Sequence, residues 1–186
     1  MRKPAYTLIE LLVAIVVSGI LVAIAAATYN LSIKSFNQDQ AKADIAQNAR
    51  ITLDRMARDL RQTPDVITQF PSSPSDTSIP QPGQIEFEDG HDNNLNYYRY
   101  YLNGTTLMLD TISCYFPYDP STPVACDAVG NGGISPSSTV LSTQEVAEKV
   151  KSLAFYGSQP LQIVITTTDG LNQTFVLRTS VYERNA

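Results

Sequence analysis

The chain contains no proline between Pro4 and Pro64 and no glycine between Gly19 and Gly83. Proline removes a helical hydrogen bond and clashes with the preceding turn, and glycine weakens a helix through backbone entropy. A run of this length with no proline and only Gly19 as a glycine reads as one helix, from about Tyr6 to Gln62. At about 1.5 Å per residue it would be roughly 85 Å long. The two halves differ. From Leu11 to Ala27 only Ser18 and Gly19 are not plainly apolar, so this half is apolar all round, as a membrane span must be; the predicted span covers about residues 8–28. The second half is amphipathic. Ile45, Ala49, Leu53, Met56 and Leu60 recur at spacings of four, four, three and four, which makes one apolar stripe. Lys42, Asp44, Asp54, Arg55, Arg58, Asp59 and Arg61 occupy the other faces and read as solvated. The stripe should pack on something downstream.

Downstream of Pro64 the pattern changes to antiparallel sheet. "PSSPSDTSIPQPG" (71–83) is a connection without an element of its own. "QIEFE" (84–88) and "LNYYRYY" (95–101) are strand-like, with the turn-rich "DGHDNN" between them. Asn103-Gly104 then joins the second run to "TLMLDTI" (106–112), a strong hairpin signal. The segment around the two cysteines and "VGNGGISPSS" read as irregular surface. "EVAEKVKSLAFY" (145–156) reads as a short helical turn mixed with a strand. "LQIVITTT" (161–168), a turn at Asp169-Gly170, and "QTFVLRTSVYE" (173–183) form a last hairpin. One helix laid across such a sheet is a two-layer α+β head, so the expected division is helix over residues 6–62 and head over 63–186.

Several function classes drop out. A net charge of −5 argues against general nucleic-acid binding, whose affinity comes from a basic surface. With one histidine, His91, and no G-x-S-x-G, P-loop or G-x-G-x-x-G, nothing assembles a catalytic set. No catalytic residue, cofactor or metal is expected: two cysteines and one histidine are too few for a zinc site. Two local clusters invite other readings. Tyr97, Arg99 and Tyr101 share one face of their strand, Tyr98 and Tyr100 the other; such a cluster stacks on bases or sugars, or packs a two-sided strand. Glu88, Asp89, Asp92, Asn93 and Asn94 supply oxygen ligands of the kind calcium takes, but without EF-hand spacing, and a plain turn is the simpler reading.

One residue resists the plain reading of the N-terminus. Glu10 stands at the start of the apolar run, and a carboxylate at mid-bilayer costs roughly 2.5–3.5 kcal/mol on insertion scales. A single-pass anchor leaves it unexplained. So does a secretory signal peptide, for which Arg2 and Lys3 give the basic start and Ala25-Ala26-Ala27 the A-x-A cleavage site. That reading would release a secreted ligand-binding module after Ala27.

The stretch "PAYTLIELLVAIVVSGILVAI" resembles the class III signal of type IV pilin-like proteins. In that family a short basic leader ends in a small residue, usually Gly. An aromatic residue, usually Phe, and a T-L-I-E-like run follow. The resemblance implies residues 1–5 as leader, cleavage between Ala5 and Tyr6, and N-methylation of Tyr6 by the prepilin peptidase. It implies that Glu10 pairs with the positive N-terminus of a neighbouring subunit. Gly19 matches a glycine often seen in the membrane helix. Three positions depart from the commonest pattern: Ala5 replaces Gly, Tyr6 replaces Phe, and Ala27 stands where many major pilins carry a kinking proline. The last fits minor pilins or pseudopilins better. Physically, a partner of opposite charge lowers the energy of one docking register for a carboxylate held in an apolar layer.

Arg2 and Lys3 precede the span and the first charge beyond it is Lys34, so the positive-inside rule puts the head outside. There Cys114 and Cys126 would form a disulfide. "ARITLDRMARDLRQT" (49–63) and "FVLRTSVYERN" (175–185) resemble PilW-like minor pilins and the J-type pseudopilins of type II secretion. The resemblance implies a subunit of the bacterial inner membrane with a periplasmic head, which later joins a pilus or pseudopilus. There it would help initiate or cap the fibre, with other pilin subunits and the prepilin peptidase as partners.

Overall fold

The computed structural model describes residues 7–91, 95–157, 159–168 and 174–182. One helix, α1 (Leu8–Gln62), precedes eight strands: β1 (Gln84–Glu88), β2 (Asn96–Asn103), β3 (Thr106–Phe116), β4 (Asp119–Val124), β5 (Ser137–Ala147), β6 (Val150–Tyr156), β7 (Leu161–Thr168) and β8 (Thr174–Val181). The chain divides into two compact units, Met1–Ala43 and Asp44–Ala186. In the first, the described residues are helical almost throughout and the large apolar side chains from Leu8 to Phe36 are exposed.

The second unit is an α+β head. The helical stripe is buried as its spacing predicts, with Met56 and Leu60 fully enclosed. Leu53, Met56, Ala57 and Leu60 share one core with Ile85, Phe87 and Tyr100 from β1 and β2, and with Phe155, Ile163 and Ile165 from β6 and β7. Enclosing a side chain of this size contributes about 1.5–3 kcal/mol, so the stripe is what binds helix to sheet. Two charged residues expected on solvated faces are not there. Arg55 donates to Gln144 at 3.2 Å and Asp59 accepts from the Tyr100 hydroxyl at 2.7 Å. They flank the stripe and reach over its edges to the strands.

The strands form two antiparallel sheets rather than one. β1, β2 and β3 run in order, with β4 and β5 both paired to β3; β6, β7 and β8 make the second sheet. The Asn103-Gly104 hairpin is present, Gly104 having φ 63°. Two strands lie outside the sequence expectation: β4 occupies a segment expected to be irregular, and most of β5 occupies residues 139–144, for which the sequence suggests no element. β4 lies between the cysteines, and its Pro120 and Pro123 suit it only to an edge. β5 begins at Ser137, and residues 137–145 are exposed on both faces, so it carries no apolar alternation to announce it. The helical turn expected within 145–156 is absent: β5 ends at Ala147, Lys149 turns at φ 59°, and β6 starts at Val150. The turn at Asp169-Gly170 lies outside the described residues.

Two features tie the ends of the elements together. Past the helix, residues 65–68 run beside β1: Glu88 N–H donates to Asp65 O at 3.0 Å and Ile67 N–H to Glu86 O at 3.0 Å. The buried Thr63 hydroxyl lies 2.7 Å from the carbonyls of both Asp65 and Glu88. Cys114 and Cys126 are joined in a disulfide that closes the β3–β4 loop. Reducing it is expected to destabilise the head by about 3 kcal/mol through the entropy returned to the unfolded chain. Thermal unfolding with and without reductant should show a Tm lower by roughly 6–12 °C.

Candidate functional site

The first turn of α1 is closed by its own sequence. Thr7 precedes the helix; its hydroxyl accepts from Glu10 N–H at 3.3 Å, and its own N–H donates to Glu10 Oε2 at 3.4 Å. The Thr7 hydroxyl also lies 3.4 Å from Oε2. This is a capping box, the T-x-x-E arrangement in which two otherwise unpaired N–H groups are satisfied reciprocally. It also places the Glu10 charge at the positive end of the helix dipole. The carboxylate therefore points toward the start of the helix and not out along its flank. Thr7 carries a role that the sequence reading missed, although T-x-x-E before an apolar run is its standard signal. Ala5 and Tyr6 lie outside the described residues.

Beyond this cap, α1 is long and apolar enough to cross a membrane, and none of its most apolar stretch is buried within the chain. No other side chain lies near Gly19: a Cβ there would meet nothing within 4 Å. At the far end of the apolar run, the Thr28 hydroxyl bonds back to the carbonyls of Ile24 and Ala25 at 3.1 and 3.0 Å, which satisfies a polar group without solvent. The helix runs on through Ala25-Ala26-Ala27 without a break. An unpartnered apolar surface of this extent needs lipid or other apolar helices around it.

Residues 1–26 match the model of the prokaryotic N-terminal methylation motif. The chain carries a class III signal. That motif, with an exposed apolar helix behind it and antiparallel sheets packed on the helix end, supports a type IV pilin or pseudopilin. It implies assembly with other pilin subunits and processing by prepilin peptidase, fits a membrane-anchored protein, and suggests a structural subunit rather than an enzyme. No curated protein and no solved structure matches the chain.

The tyrosine cluster is divided between two faces, with Tyr97 and Tyr100 buried and Tyr98, Arg99 and Tyr101 half-buried. Tyr100 is fully buried against Phe87, their rings stacked at 6.1 Å, with its hydroxyl on Asp59. Burial and the Asp59 charge raise its pKa strongly. Burial, together with a hydrogen bond to Asp89, pushes Tyr98 up to about 12. On the opposite face Tyr97 is buried beneath the disulfide loop, where its hydroxyl meets the Cys126 backbone. Arg99 pairs with the buried Asp110 at 2.8 Å, and Thr143 and Tyr101 also donate to Asp110, at 2.7 and 3.4 Å. Burial alone would raise the Asp110 carboxyl, but these donors and the Arg99 charge hold it below the usual range. The cluster is thus spent on packing. Replacing Tyr100 with phenylalanine leaves the half-buried Asp59 without its donor, which should cost about 2 kcal/mol. A urea midpoint lowered at unchanged m-value would register that loss.

The turn after β1 is also committed to structure. Asp89 accepts from His91 N–H at 3.0 Å and lies 2.6 Å from its Nδ1. Among the described residues no three His, Cys, Asp or Glu side chains converge as a metal site; Asp92, Asn93 and Asn94 lie outside those residues.

Proposed function

We propose that this chain is a minor pilin or pseudopilin precursor that helps initiate or cap a type IV pilus. Cleavage between Ala5 and Tyr6 and N-methylation of Tyr6 make the mature subunit. The inner membrane holds it through residues of about 8–28, with the head of residues 63–186 in the periplasm. Glu10 then selects the docking register. The observation that supports this most is the methylation motif over residues 1–26 with Glu10 inside it. Within the membrane a capped carboxylate still lacks a counter-charge, and a neighbour's N-terminal amine supplies one. The absence of a proline at Ala27 and the arginine-bearing helix end support a PilW-like minor pilin over a major subunit. A J-type pseudopilin of type II secretion is the second reading, favoured by the same helix end.

Mass spectrometry of the protein from its native host tests the precursor step. The expected mature peptide starts at Tyr6 and carries one added methyl group. A start at Thr28 would mean a released binding module, and an intact Met1 a simple anchor; either result removes the pilin reading.

A further inference from the structure

After α1 the chain passes from one sheet to the other. Residues 65–68 run beside β1, and the buried Pro71 accepts from Gly157 N–H, just past β6, at 2.8 Å. Between this segment and the β6–β7 turn lies an open cleft of about 650 Å³, within the roughly 300–1,000 Å³ of small-molecule sites. Its walls are held by the fold itself. The Thr68 hydroxyl accepts from Glu86 N–H at 2.8 Å, and Ser72 donates to Asp76 through its N–H and hydroxyl at 2.9 and 2.7 Å. The Phe70 ring rests on Phe155 with centroids 5.7 Å apart. A site formed in advance spends little ordering entropy on binding.

Three exposed glutamines line the cleft: Gln69 from the segment after the helix, Gln159 from the turn and Gln162 from β7. Among the described residues, none of their side-chain amides has a hydrogen-bond partner in the chain. Phe70 and Pro160 supply flat apolar surfaces between them. Asp65 is the one charged residue of the lining, which holds no lysine or arginine.

Charge and hydrogen-bonding capacity together select the ligand. A carboxylate without a cation disfavours phosphate, sulfate and nucleic acid, whose binding is carried by basic groups. Each glutamine amide accepts through its oxygen and donates twice through its nitrogen. Neighbouring sugar hydroxyls also donate and accept, so one ring can satisfy both atoms of an amide while its C–H face lies on Phe70 or Pro160. A peptide instead presents its N–H and C=O groups along an extended backbone, which a sheet edge pairs best.

We propose that this cleft binds a neutral oligosaccharide, with Gln69, Gln159 and Gln162 holding its hydroxyls and Asp65 accepting from one more. This goes beyond the reading of the chain as a fibre subunit and does not depend on it. Such a sugar comes either from the cell's own envelope or from another surface, and both sources present the same hydroxyls.

The test uses the full chain in a detergent without a sugar headgroup. It is applied to arrays of neutral, sialylated and sulfated oligosaccharides, neutral glycans from the native host's own envelope, and uncharged peptides. The parent should bind neutral sugars and neither the acidic ones nor the peptides; whether the host's glycans are among those bound identifies the source. Replacing Gln69→Ala and Gln162→Ala together should weaken that binding about tenfold or more at an unchanged Tm, two hydrogen bonds being lost from exposed side chains. Asp65→Lys should admit sialylated sugars that the parent refuses. The printed bonds that hold Asp65 are those of its backbone, so this variant decides the matter if the double variant proves less stable. A parent that binds no neutral sugar, a stable double variant that binds like the parent, an Asp65→Lys protein of unchanged specificity, or a preference for the peptides overturns the proposal.

Discussion

Replacing Gly90 with alanine is expected to lower the stability of the head by about 4 kcal/mol, a large loss for the addition of one methyl group. A Cβ at this position would overlap the carbonyl oxygen of Gln62 and stand 2.6 Å from its carbon. Those are backbone atoms of the last helical turn, held from behind by Met56 and Leu60 in the core and alongside by the Thr63 hydrogen bonds. Nothing flexible can yield. The turn after β1 must either lift off the helix end, breaking the Thr63–Glu88 contact, or push the helix out of register with the sheets. In a chain of this size the loss corresponds to a Tm lower by roughly 8–16 °C. Gly83→Ala is the control: its Cβ would meet nothing within 4 Å, so its Tm should stay within about 2 °C of the parent. A Gly90→Ala protein as stable as the Gly83→Ala protein would show that the turn is not seated on the helix end.

The close approach at Gly90 marks where sequence reasoning stops. "DGHDNN" announces a turn, and the turn is legible; that it must abut Gln62, twenty-eight residues earlier, is not. The same boundary runs through the rest of the head. The amphipathic stripe from Ile45 to Leu60 is a local periodicity, and the structure buries all five of its residues. The two faces of the Tyr97–Tyr101 strand follow from the pleat alone. What covers each face does not: Tyr97 lies under the disulfide loop and Tyr100 under the helix, contacts made by distant segments. Asp59 reads as a solvated charge because its neighbours in sequence are charged, yet it accepts a hydrogen bond from Tyr100, forty-one residues on. β5 is invisible for a different reason. An edge strand exposed on both faces has no alternation to display, and its serines and threonines are what a loop would also contain. At the N-terminus the reverse holds. Glu10 is conspicuous in the sequence because it breaks the apolar pattern, and its cap, Thr7, is legible three residues before it.

Replacing Glu10 with valine is expected to leave the head folded, its disulfide formed and its Tm unchanged, while incorporation into fibres falls a hundredfold or more. The head result follows from the placement of residue 10 in Met1–Ala43, apart from the core residues of Asp44–Ala186. The assembly result follows from the proposed pairing. Without the carboxylate, the amine of a neighbour is left unpaired in an apolar layer, a cost of about 3 kcal/mol or more, and each 1.4 kcal/mol is a factor of about ten. Valine also removes the capping box, so two further variants separate the effects. Thr7→Val removes the cap hydroxyl and keeps the charge; losing such a cap costs about 1 kcal/mol, roughly a fivefold fall in incorporation. Glu10→Gln does the opposite. A glutamine can serve the same box by accepting from Thr7 N–H, but it offers no charge to an incoming amine. Incorporation is measured as the ratio of sheared fibre to membrane-bound protein in the native host. On the proposed account Glu10→Gln behaves like Glu10→Val, and Thr7→Val is the milder of the three. If Glu10→Gln incorporates like the parent while Thr7→Val does not, Glu10 is a helix cap and the choice of docking register lies elsewhere.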